Sequence, residues 1–115
     1  MVLWIGFDLQ AEIEAWSYNN STALQLAAWK GKEAVAAQLL QAGASVSAVN
    51  DGGSTPLHLA AWNGKSSIAN LLLQANASPT AVNKDGDTPA QYAKQRGHGY
   101  LAAMLLKAEQ AEALK

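Results

Sequence analysis

The stretch TPLHLAAWNGK at 55–65 restates TALQLAAWKGK at 22–32, and TPAQYAKQRGH at 88–98 falls in the same register. Thr22, Thr55 and Thr88 are thus each 33 positions apart. A fixed period of this length constrains the fold more than any other property of the chain. Each copy must build the same supersecondary unit, and each unit must bury its apolar face against a neighbour.

The repeated phrase reads as two short helices and a linker. Thr22, Thr55 and Thr88 stand at a helix start, where a hydroxyl oxygen accepts from a free N–H of the first turn. Pro56 and Pro89 follow at the first helical position, which has no need of an N–H. Gln25 and Gln91 lie three residues after their threonines, completing a capping box, and His58 holds that place in the middle copy. Leu24, Leu26, Ala27 and Ala28 recur as Leu57, Leu59, Ala60 and Ala61, and the alanines let a neighbouring helix approach closely. Gly31, Gly64 and Gly97 end this first helix. A second helix follows, with one apolar stripe made by Val35, Leu39 and Leu40, then Ile68, Leu72 and Leu73, then Leu101, Leu105 and Leu106. Gly43 and Asn76, both tolerant of a left-handed backbone, stop the first two of these helices. The linkers 44–54 and 77–87, rich in Ser, Asn, Asp and Gly, predict an extended excursion with a tight turn.

Composition narrows the function classes. Half of the 115 residues are hydrophobic and 15% are charged, which suits a packed domain rather than a disordered chain. Eight basic residues against nine acidic ones leave no basic footprint, so neither nucleic acid nor an anionic membrane is expected as partner. Without cysteine there is no disulfide, thiol chemistry or Cys-based zinc site. The opening MVLWIGFDLQ lacks the basic segment of a signal peptide, and no run approaches the roughly 20 apolar residues of a membrane span. An intracellular, cytoplasmic location is therefore expected.

Catalytic constellations are not evident. His58 and His98 sit at repeat positions and read as structural hydrogen-bonding groups. Asp51-Gly52-Gly53 and Asp85-Gly86-Asp87 lack the remainder of a phosphate or calcium loop, and read as turns in which Asp-Gly supplies the positive φ. Glu12 and Glu14 read as a solvated face. No enzyme, metal or cofactor is expected.

The 33-residue period, the phrase T-P-L-H-x-A-A at Thr55 to Ala61, Gly64, and the Leu39-Leu40 pair ahead of Gly43-Ala44 resemble the ankyrin repeat. The likeness covers residues 21–106. It implies an all-α solenoid: antiparallel helix pairs stacked side by side, turns projecting from one edge, and a concave binding face. The units are then 21–53, 54–86 and 87–115, in one domain. The third ends in an extended capping helix, because Glu109 replaces the stop residues Gly43 and Asn76. That extension is expected to cover Leu105 and Leu106. Residues 1–20 read as an N-terminal half repeat or cap, either native or the remnant of a longer array. There Trp4, Ile5 and Phe7 would cover the first full unit. Asn50 and Asn83 stand where the family usually has a turn aspartate.

The resemblance also implies where a partner binds, namely the end of the first helix and the turn tips. By position these are Trp29-Lys30, Trp62-Asn63 and Gln95-Arg96, with Val49, Asp51, Gly52 and Ser54, then Val82, Lys84, Asp85 and Asp87. In the half-repeat reading Trp16, Tyr18 and Asn19 extend the row. The expected function is a monomeric, non-catalytic module that recognises a protein or peptide. The alternatives are a capping, spacer or self-associating segment of a longer array, and a regulatory domain of a larger enzyme. The third copy has Gln95 where the others have tryptophan. Replacing Trp29 and Trp62 by glutamine is therefore expected to leave the fold intact within about 1 kcal/mol.

Overall fold

A computed structural model describes residues 23–114. Thr22, the half repeat at 1–20 with its aromatic residues, and the Glu12–Glu14 pair lie outside the described residues. Within them the helices are α1 (Ala23–Lys30), α2 (Glu33–Gln41), α3 (Pro56–Trp62), α4 (Ser66–Gln74), α5 (Pro89–Gln95) and α6 (Gly99–Ala113). They form the three expected pairs. The first helices α1, α3 and α5 pack in a row, each also against its own second helix, while α2 and α4 touch each other less.

The helix starts follow from the phrase. The Thr55 hydroxyl accepts from the His58 N–H, and His58 Nδ1 accepts from the Thr55 N–H. Thr88 and Gln91 make the same reciprocal box. The Gln25 amide donates to the Ala48 carbonyl at 2.7 Å, tying α1 to the following linker.

The helix ends are equally local. At Gly64 φ is +69°, and Lys65 N–H reaches back to the Ala60 carbonyl at 2.8 Å. This left-handed closure lets α4 begin at once. The site also needs glycine for space, because a Cβ there would lie 2.7 Å from the His98 ring. Asn76 carries the left-handed φ that Gly43 has in the unit before.

The core is made of the repeat positions. Leu24 and Leu57, Leu39, Leu72 and Leu105, and Ala27, Ala60 and Ala93 are all buried. At the next position Ala28 and Ala61 are fully buried, whereas the third copy has Lys94, which is exposed. The outer side of α5 is thus an uncovered edge whose residue type already suits water.

The last helix runs through Ala113, as the missing stop residue predicts. The expected cover is only half made: Leu105 is buried, but Leu106 stays 47% exposed. Leu40 and Leu73, its counterparts, are half-buried and packed against the core.

The linkers make tight turns without a regular strand among the described residues. Gly53 N–H donates to Asn50 O, and Asn50 N–H to Ser54 O. Asn83, Gly86 and Asp87 repeat this pattern. The expected Asp-Gly chemistry holds at Asp85-Gly86 but not at Asp51-Gly52. The left-handed residues are Gly53 (φ +79°) and Gly86 (φ +80°), 33 apart and each fourth in its turn. A rung from Lys84 N–H to Gly52 O, 3.0 Å, joins the two tips. Gly53 lies under that rung, where a Cβ would meet the Lys84 nitrogen at 3.0 Å.

Candidate functional site

The ends of α1 and α3, Tyr92 of α5 and the turn at 50–54 border one groove. Trp29 and Trp62 lie side by side in it, on a cleft of about 340 Å³ that is open to solvent and floored by Leu59 and Tyr92. Asn50, Gly52 and Ser54 close the cleft on the turn side. The two indoles differ. Trp29 is 41% exposed, while Trp62 is half-buried.

Trp62 is held by the third unit. Tyr92 meets it edge-on, with ring centres 4.9 Å apart and planes at 63°. The Arg96 guanidinium carbon lies 4.7 Å from the centre of its ring. The expectation that both tryptophans are dispensable for packing is therefore corrected for Trp62. An edge-on aromatic pair and a cation over an indole each contribute on the order of 1 kcal/mol, and glutamine keeps neither.

Carbonyls at the helix ends are tied across units. Asn63 Nδ2 donates to the Trp29 carbonyl at 2.6 Å, and His98 Nε2 donates to the Trp62 carbonyl at 3.1 Å. Both residues thus satisfy backbone acceptors that a helix end leaves open. His98 has the structural part expected of it. Asn63 stands in the row of candidate binding residues, but its amide is already engaged.

The remaining candidates divide by exposure. Lys30, Gln95 and Arg96 are exposed at the helix ends, and Val49, Asp51, Gly52, Val82, Lys84 and Asp85 at the tips. Asp87 is half-buried, and its carbonyl accepts from His58. Ser54 is only 4% exposed, its hydroxyl 3.5 Å from that of Tyr92, so it lies beneath the surface a partner would meet.

Tyr92 is the residue that sequence reasoning missed. Its hydroxyl accepts from Asn83 Nδ2, and its ring also stands edge-on to His58. The signal was present, since Tyr92 replaces Leu26 and Leu59 in the register. An aromatic with a polar tip in a leucine position marks a place where the groove wall carries a hydrogen bond.

His58 joins the second and third units. With Nδ1 accepting from Thr55, the ring proton sits on Nε2 and is donated to the Asp87 carbonyl at 2.8 Å. Burial pushes its pKa below the ordinary 6.5, more than the Asp87 carbonyl and charge raise it. The folded state therefore resists protonation more than the unfolded one. The stabilisation due to neutral His58 is complete above about pH 6.5 and declines as pH falls from there towards the lower folded value. Denaturant midpoints are expected to drop on acidification through this window. His58→Gln, which copies Gln25 at the equivalent position, should flatten that drop; an equal drop in both proteins would contradict the assignment.

Among the described residues no group of three His, Cys, Asp or Glu side chains is placed to hold a metal. No helix among them is long and apolar enough to cross a membrane. Two family models match the chain: one described as ankyrin repeat over residues 19–51, and one described as ankyrin repeats (many copies) over residues 39–93. No curated protein gives a significant match.

Proposed function

Because the chain belongs to the ankyrin-repeat family, whose repeats are generally protein–protein interaction modules, we propose that it is a non-catalytic module that binds a protein or peptide in the groove between first-helix ends and turn tips. The observation that carries this reading is the pair Trp29 and Trp62 on one open cleft. Tryptophan is enriched among residues that dominate binding energy, and such residues cluster at the centre of an interface. Lys30, Gln95 and Arg96 are exposed at the helix ends and Asp51, Lys84 and Asp85 at the turn tips, where this reading puts the rest of the contact. In this reading the chain acts as one monomeric domain of the units 21–53, 54–86 and 87–115, within the cell.

The test is parallel capture of partners from source lysate on the wild-type chain and on a Trp29→Ala/Trp62→Ala variant. A protein retained by the first and lost by the second supports the reading. Retention of the same proteins by both would place binding elsewhere.

A further inference from the structure

The groove is electrically asymmetric. Lys30 and Arg96 stand exposed at the helix ends beside it, neither engaged by a carboxylate among the described residues. Asp51 and Asp85 are exposed on the turn side, with Asp87 half-buried behind them and Lys84 as the one basic residue between. A uniform polyanion would meet repulsion along the turn tips. A ligand that places a single negative charge at the helix side meets attraction there and no repulsion.

Arg96 is prepared for such a charge. Its guanidinium already lies over the Trp62 ring, so its position is restrained before any ligand arrives. A guanidinium restrained in this way loses less freedom on pairing with a carboxylate than a free side chain would. The end of α5 presents carbonyls that disfavour an anion, but their effect is a fraction of a charge, against the full charge of Arg96. Immediately beside this cation is the apolar cleft of Trp29, Leu59, Trp62 and Tyr92. It is open on one side, so it does not enclose a free small molecule as ligand pockets do. It suits a side chain anchored by its own backbone.

Resting on the interaction reading above, we infer that the groove recognises a short peptide segment in which a large apolar side chain has an aspartate or glutamate next to it or one residue away. The apolar side chain fills the cleft between the two indoles, and the carboxylate pairs with Arg96. Lys30 adds long-range attraction that salt weakens.

The experiment is selection of a short random-peptide display library on the intact chain, in parallel with its Arg96→Gln and Trp29→Ala/Trp62→Ala variants, with folding of each checked by circular dichroism. Wild-type protein should enrich peptides that combine a large apolar residue with a neighbouring acid. Arg96→Gln should keep the apolar enrichment and lose the acidic one. In a synthetic copy of a selected peptide, changing the acid to its amide should weaken binding about tenfold, as for loss of one charge-assisted contact. Arg96→Lys should recover only part of the loss. Absence of acid enrichment on wild type, its persistence on Arg96→Gln, or no enriched peptide at all would overturn the inference. Each of these leaves the interaction reading standing if lysate capture still depends on the tryptophans. Selection of the same peptides by wild type and the tryptophan variant would overturn both.

Discussion

Leu72→Ala is expected to lower the free energy of unfolding by about 2–5 kcal/mol, the range for truncating a buried leucine. Leu72 lies in the middle unit and is completely buried. Its α4 backbone is held in place by α3 on one side and α2 on another, so the surroundings have little freedom to collapse into the space left behind. The transfer cost and the cavity cost then add. Small domains unfold with only about 5–15 kcal/mol in total, so this one change should shift the denaturant midpoint strongly. Leu106 provides the control. It belongs to the same apolar stripe but is 47% exposed, and Leu106→Ala should stay within about 0.5 kcal/mol. Equal midpoints for Leu72→Ala and wild type would remove Leu72 from the core.

Truncating the tryptophans should separate binding from stability. Each indole, as a hot-spot residue, is expected to cost about 2 kcal/mol or more of partner affinity when cut to alanine, which is roughly a thirtyfold rise in Kd. Trp29 is the more exposed of the two and is linked to the second unit through its backbone carbonyl, which alanine retains. Trp29→Ala should therefore weaken binding with little change in stability. Trp62→Ala removes the ring that Tyr92 and Arg96 rest on, so it should weaken binding and also cost about 1–2.5 kcal/mol of stability. Titration of the captured partner, set beside denaturant curves of each single variant, reads both quantities. Unfolding of Trp29→Ala would make that indole a core residue and not a binding one.

What was legible in the sequence was whatever depends on residues close along the chain. The caps at Thr55 and Thr88, the left-handed closure at Gly64, and the stripe of Leu39, Leu72 and Leu105 are set by neighbours three to five positions away. The 33-residue period then stacks them. Less legible was anything made between units. Ser54 belongs to a polar, glycine-rich stretch and reads as surface, yet the Tyr92 hydroxyl of the third unit sits beside it in the fold. Asn63 reads as a free amide until the Trp29 carbonyl of the preceding unit occupies it. At the turn, the dipeptide Asp51-Gly52 suggested the wrong glycine, because the side chain of Asn50 accepts from Gly52 and Ser54 and so sets the turn one residue later. One signal went unread. The series Ala28, Ala61, Lys94 marks the third unit's edge by residue type alone.

Hydrogen exchange of the chain with and without a captured partner tests the central claim most directly, because it maps the covered surface without altering any residue. The account predicts slowed exchange at the ends of α1, α3 and α5 and at the turns around Asp51 and Asp85. It predicts unchanged exchange on the outer helices α2, α4 and α6. Protection confined to those outer helices, with the groove unaffected, would contradict it.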